Sequence, residues 1–180
     1  MFNKINKMDK LIKIFLKNQE KEFHLRELSR IIKRSPATVL KYLNELNKNG
    51  IISYKKERNL SLFKANTDSE KFKEIKIGYN ISILRKSGVL DYLISQFNQP
   101  EAIILFGSFG RGEDFEKSDI DLAIITPLQK TLEVSKFEKK LNRNISLHLF
   151  SKDRIEKMKK NNKELLNNLK MTIITLAGSI

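Results

Sequence analysis

The chain has 180 residues, 35 Lys and Arg against 21 Asp and Glu, a formal net charge of +14 and no cysteine. That length holds one medium domain or two small ones. The lack of cysteine excludes disulfides, zinc thiolates and thiol nucleophiles, and no apolar run approaches the ~20 residues of a membrane span. A protein of the cytoplasm with no membrane partner is expected. The charge is uneven: residues 1–80 hold 19 basic and 9 acidic side chains, whereas 81–180 hold 16 and 12. A basic first half suggests a unit that meets a polyanion; a merely solvated lysine-rich surface is the plainer alternative.

Met8, Leu11, Ile12 and Phe15 recur at i, i+3, i+4 and i+7, which predicts a helix with one apolar face. Lys10 and Lys13 interrupt the run, so it lacks the continuous apolar core of a signal peptide. Leu25, Leu28, Ile31 and Ile32 predict a second, shorter helix. Ser35 followed by Pro36 is a helix start, with serine as cap and proline at the first helical position. A third helix from Pro36 to Lys48 is expected to bury Val39, Leu40, Leu43 and Leu46, and Asn49-Gly50 to end it. Two strands follow, Ile51–Tyr54 and Leu60–Ala65, around the turn Glu57-Arg58-Asn59.

Three helices and a hairpin make a winged helix-turn-helix pattern. The segment SPATVLKYLNELNKNGIISYKKERNLSLFKAN resembles the recognition helix and wing of archaeal and bacterial winged-helix regulators. The resemblance implies a partner of double-stranded DNA, with the third helix in the major groove. Its outward N-terminal residues Thr38, Lys41 and Tyr42 would face base edges, while Arg34 and Ser35 reach phosphates. Lys55, Lys56 and Arg58 on the wing would contact the backbone beside the minor groove. A winged helix used only for protein contacts or dimerisation is the alternative.

Residues 1–66 are thus read as a winged helix-turn-helix domain and 67–98 as a helical linker. Asp68 would cap a long helix through Phe72, Ile75, Tyr79, Ile81, Leu84 and Leu93, with Gly88 as its bend or break and Asn98-Gln99-Pro100 as its end. Such a helix could belong to both units or join two copies in a homodimer.

Residues 99–180 form the other domain. Ala102–Phe106 reads as a buried strand, followed by Gly107-Ser108, ten residues, then Asp119 and Asp121 on a second apolar segment. Strand side chains alternate between faces, so both aspartates point one way. Two like charges on one face call for a compensating cation, and oxygen donors without sulfur point to Mg²⁺ holding phosphates. Gly107–Gly112 lacks the Lys-Ser/Thr of a P-loop, and the acidic cluster lacks the central glycine of an EF-hand.

The segment LFGSFGRGEDFEKSDIDLAI resembles the minimal nucleotidyltransferases of the polymerase-beta-like superfamily, whose signature is Gly-Ser, about ten residues, then Asp-x-Asp. YNISILRKSGVLDYL is similar to the linker of archaeal proteins that join a winged helix to this domain. The resemblance implies Mg²⁺ on Asp119 and Asp121, which would also be the catalytic pair. It implies a nucleoside triphosphate, ATP foremost, held by Gly107, Ser108 and Arg111. It further implies transfer of the nucleoside monophosphate to a protein hydroxyl, as in antitoxins that modify a partner toxin.

Active members place a third carboxylate on a neighbouring strand. The matching run Asn144–Phe150 presents Asn144, Ser146 and His148 instead. A neutral His148 could serve as ligand or base, and the substitution equally fits a domain that has lost transfer and only binds nucleotide or dimerises, leaving a DNA-binding transcriptional regulator. Leu132–Leu141 reads as a crossover helix, Lys152–Lys170 as one or two helices, and Met171–Leu176 as a last strand stopped by Gly178. The fold class is α/β (α+β): a winged helix beside a small mixed sheet with packed helices.

Overall fold

The computed structural model describes residues 2–58, 60–161 and 174–178. It is a mixed α+β protein with two sheets, and it divides into two compact units, Met1–Lys76 and Ile77–Ile180. The division falls inside one helix.

The first unit contains α1 (Phe2–Lys17), β1 (Phe23–His24), α2 (Leu25–Ile32), α3 (Pro36–Lys48), β2 (Ile52–Glu57), β3 (Leu60–Ala65) and the opening turns of α4 (Glu70–Ser87). Its antiparallel sheet runs β1-β3-β2. Strand β1 is only two residues long, too short to announce itself by alternation, and pairs Phe23 with Phe63 and His24 with Leu62. Leu11, Phe15, Phe23, Leu28, Val39, Leu43 and Phe63 form the buried centre. Ser35 caps α3 as its sequence demands: the hydroxyl accepts from the Thr38 N–H at 3.3 Å, with Pro36 in the first turn. Lys76 is 2 % exposed and donates from Nζ to the Leu16 carbonyl at 2.9 Å. Its hydrogen-bonded ammonium is tolerated where an unpaired one would be costly.

Two side chains of α3 exchange the places expected of them. Leu40 is 37 % exposed, whereas Tyr42 is 8 % exposed. The stripe that faces inward is Val39, Tyr42, Leu43, Leu46, which is i, i+3, i+4, i+7; Leu40 lies a hundred degrees off it despite its hydrophobicity. Ile31, expected in the apolar face of α2, is exposed for the same reason.

In α4 the cap is Ser69, whose hydroxyl accepts from the Phe72 N–H, and not Asp68. The helix ends at Ser87, and α5 (Val89–Gln96) begins after Gly88, whose φ of +84° is a left-handed conformation that only glycine adopts without strain.

The second unit continues with β4 (Ala102–Phe106), α6 (Gly107–Arg111), β5 (Ile120–Ile125), α7 (Ser135–Leu141), β6 (Ile145–Phe150), α8 (Lys152–Asn161) and β7 (Ile174–Gly178). Helix α7 starts three residues later than its apolar pattern suggested. Gly178 is the last residue of β7. The expected helix beyond Asn161, the strand residues Met171–Ile173 and Asn59 of the hairpin turn lie outside the described residues.

The four-stranded sheet has the order β6-β5-β4-β7, with β5–β6 parallel and the other pairs antiparallel. One face, carrying Ile103, Leu105, Ile120, Leu122, Ile124 and Ile145, packs beneath Leu84, Leu90, Leu93, Phe109 and Phe137 of the helices. The other carries Ala102, Ile104, Ala123 and Ile125, with Phe106, Phe150 and Ile155 packed against them. The period of two in each strand therefore sends bulky aliphatics to the helix layer and leaves the opposite face for Asp121 and its neighbours.

Candidate active site

Strand β4 runs into Gly107, where the chain turns sharply into the one-turn helix α6. Gly107 has φ of +69°, and a Cβ built there would collide with the Asp121 carboxylate, with Cγ at 3.2 Å and Oδ2 closer still. The cause is the register: Phe106 pairs directly with Asp121 across β4–β5, so the next residue of the turn passes over that side chain. Glycine is demanded twice, by dihedral angle and by space. Ser108 follows, half-buried, with no hydrogen bond to its hydroxyl among the described residues; its carbonyl accepts from the Glu113 N–H at 3.0 Å. The first N–H groups of α6 have no partner within the helix, as at any helix start.

Asp119 lies just before β5 and is exposed; Asp121 lies two residues on and is half-buried. The Asn144 side-chain N–H donates to Asp119 Oδ1 at 3.1 Å. His148 Nε2 stands 3.8 Å from Asp121 Oδ1. The parallel pairing of Asp121 with Ser146 and of Ala123 with His148 puts all four on adjacent strands, with Asp121 and His148 on one face. The Phe106 ring packs edge-on against the imidazole at 5.2 Å.

Arg111 donates from Nε to Glu113 at 2.7 Å, which anchors the guanidinium beside the turn. An open surface depression lined by Glu116, Lys117, Lys139, Arg143 and Asn144 lies elsewhere on the unit; neither aspartate nor Gly107, Ser108 or His148 lines it.

Sequence reasoning missed what holds the loop between Ser108 and Asp119. Asp114 is fully buried. One of its oxygens accepts from Asn80 Nδ2 at 2.6 Å and the other from Arg143 at 3.0 Å; Arg143 also donates to the Ser118 carbonyl at 2.7 Å, and Asn80 to the Phe109 carbonyl at 2.9 Å. A buried carboxylate persists only when paired in this way. The partners lie 34 and 29 residues away in sequence, so no local signal marks them. Beside this network, burial pushes the Tyr79 phenol above its usual range.

The residues expected to read DNA are placed as follows. Arg34, Ser35 and Lys41 are exposed; Thr38 is half-buried, its hydroxyl 2.9 Å from that of Ser35. Tyr42 packs in the core of its unit, so its expected outward position is corrected: its ring lies on the inward stripe of α3. Lys55, Lys56 and Arg58 are exposed on the hairpin. Lys55 is bound to Glu57 at 2.6 Å, and that hydrogen bond raises its pKa above the ordinary lysine value.

Asp119, Asp121 and His148 carry donor groups of types that can bind a divalent cation. Oxygen donors dominate, as hard cations require, and the absent side chain at position 107 leaves the Asp121 carboxylate its place. Among the described residues, no three His, Asp or Glu side chains already stand close enough to hold an ion as placed. No helix of the described residues is long and apolar enough to cross a membrane.

Comparison with the curated proteins finds no match. Residues 89–177 match the family model described as Polymerase beta, Nucleotidyltransferase, a range that includes the Gly107 turn, both aspartates and all of β6. Within the second unit, the matched stretch is similar to that nucleotidyltransferase family.

Proposed function

We propose that this protein transfers a nucleoside monophosphate from a nucleoside triphosphate, foremost ATP, to a hydroxyl acceptor. The observation that carries the reading is the packing of the Gly107 turn directly over the Asp121 carboxylate, because it sets phosphate-binding backbone beside metal-binding oxygens. Asp119 and Asp121 would hold Mg²⁺. Bound there, the cation would supply positive charge to the triphosphate and to the attacking oxygen.

The remaining work falls to the chain's own groups. The Ser108 hydroxyl and the backbone N–H groups after Gly107 would donate to the terminal phosphates, and Gly107 lets the backbone approach them closely. Arg111, held by Glu113, offsets phosphate charge. The acceptor oxygen forms a bond to the α-phosphorus while the bond from that phosphorus to the β-phosphate oxygen breaks. Pyrophosphate leaves with the electron pair, and the acceptor's proton passes to solvent. A protein acceptor, as for an antitoxin acting on a partner toxin, is the form suggested by resemblance.

The first unit is read as a winged helix that binds duplex DNA. Exposed Arg34, Ser35 and Lys41 at the start of α3 and Lys56 and Arg58 on the hairpin support it. A second reading, a DNA-binding regulator whose nucleotidyltransferase-like domain only binds nucleotide or dimerises, is favoured by one observation: no carboxylate stands on β6.

Pyrophosphate release on mixing the protein with ATP, Mg²⁺ and lysate proteins separates the two. Release that depends on Asp121 supports transfer. Release absent from wild type, with DNA binding intact, supports the regulator.

A further inference from the structure

Arg143 has no part in the transfer reading, yet it touches both halves of the site. Its side chain is 11 % exposed, and that of Asp114, its ion-pair partner at 3.0 Å, is 0 % exposed. Nη1 donates at 2.7 Å to the carbonyl of Ser118, the residue before Asp119. The guanidinium also lies 5.2 Å from the ring centre of Phe109, the residue after Ser108, within cation–π range. Asn80 repeats the pattern from α4, its side-chain amide donating to the Phe109 carbonyl and to Asp114. Asn144 follows Arg143 and binds the same stretch: its carbonyl accepts from the Ile120 N–H at 2.9 Å, and its side chain donates to Asp119.

Fold support alone does not explain where these bonds end. A buried ion pair replaced as a whole by apolar groups of similar volume often costs no stability, because desolvation offsets most of the attraction. What the pair adds is direction. A guanidinium presents its donors in a rigid planar fork and so holds two acceptors at one set spacing, which a lysine ammonium on a flexible stem does not. Here the two acceptors, the Asp114 carboxylate and the Ser118 carbonyl, bracket the turn that leads into Asp119, while the guanidinium lies over Phe109.

We infer that Arg143 is a positioning residue: through Phe109, Asp114 and Ser118 it sets the spacing between the Ser108 turn and Asp119. The spacing rests on the contacts above; its effect on rate rests on the transfer reading. The Gly107 turn is built on β4 and keeps its grip on the triphosphate without the guanidinium, so the penalty falls on kcat and not on KM for ATP.

Two variants of the full chain test this, Arg143→Lys and the apolar pair Asp114→Leu with Arg143→Met, with rates counted per folded molecule below the unfolding midpoint. Amide hydrogen exchange at Glu113 and Ser118, whose N–H groups bond to the Ser108 and Phe115 carbonyls, reads the spacing. Pyrophosphate release from ATP with Mg²⁺ and lysate proteins reads its consequence. Arg143→Lys keeps the charge but loses the fork: exchange at those amides should be about 10-fold faster, kcat about 10²-fold lower and KM for ATP little changed. The apolar pair should recover the unfolding midpoint but not the rate, which a merely structural ion pair would leave at the wild-type value. Unchanged exchange or unchanged kcat in Arg143→Lys overturns the inference, as does a wild-type rate in the apolar pair; if that pair does not fold, Arg143→Lys decides alone. A wild type that releases no pyrophosphate sinks the transfer reading instead, and exchange then decides the spacing: faster in Arg143→Lys sustains it, unchanged overturns it.

Discussion

Gly107 passes so near the Asp121 side chain that no residue larger than glycine fits at position 107 without displacing it. The turn passes so close over the carboxylate that a Cβ would overlap it, at a backbone φ of +69° that disfavours every other residue. Gly107→Ala must therefore either displace Asp121 or open the turn. We expect about 1–2 kcal/mol of lost stability from the strained dihedral and a loss of transfer of about 10²-fold from misplacement near the reacting atoms. Thermal unfolding alongside initial rates of pyrophosphate release checks both.

The Asn80–Asp114–Arg143 network ties the loop between the two halves of the site to α4 and to the segment just before β6. Arg143→Leu leaves the fully buried Asp114 with its charge half-compensated, and such losses cost about 3–5 kcal/mol. A large fall in unfolding midpoint is expected, measured by denaturant titration. Asn80→Asp, which sets a second acid against Asp114, should also destabilise.

On the first unit, Glu27 accepts from Lys21 at 2.7 Å, and that hydrogen bond lowers the Glu27 pKa. A carboxyl whose folded pKa is depressed adds stability above its unfolded pKa, and that stability is lost as pH falls through the lowered value. Lys21→Ala should therefore cost up to about 1 kcal/mol at neutral pH, as exposed pairs do, and less at pH 2, where the contact of the ammonium over the Phe23 ring remains. Urea unfolding at the two pH values gives the comparison.

DNA binding should weaken linearly in log–log form with salt. Lys41→Ala and Lys56→Ala should each reduce the slope by about one. Tyr42→Phe, by contrast, should leave affinity for every sequence unchanged, because that ring is buried in its own unit. Fluorescence anisotropy across a salt series reads all three.

The elements of the second unit are legible in sequence because its central strands, AIILF and IDLAII, are short apolar runs and a glycine sits where the chain must turn. Gly88 between α4 and α5 is read correctly as a break, since a left-handed dihedral leaves a residue-type signature. What stayed hidden depends on distance in sequence. Asp114 looks like any acid in a polar loop until Asn80 and Arg143 close on it, and the two-residue β1 has no periodicity to read. The Leu40–Tyr42 exchange has another origin: hydrophobicity ranks leucine first, but the helical angle puts tyrosine on the inward stripe.

Single-turnover transfer from α-³²P-labelled ATP, comparing wild type with Asp121→Asn in the presence of lysate proteins and Mg²⁺ or Mn²⁺, bears most directly on the proposed activity. The account predicts label covalently attached to an acceptor, one pyrophosphate released per label, and a rate about 10²–10³-fold lower in the variant. No attached label from wild type with either metal, or equal labelling by the variant, would contradict it.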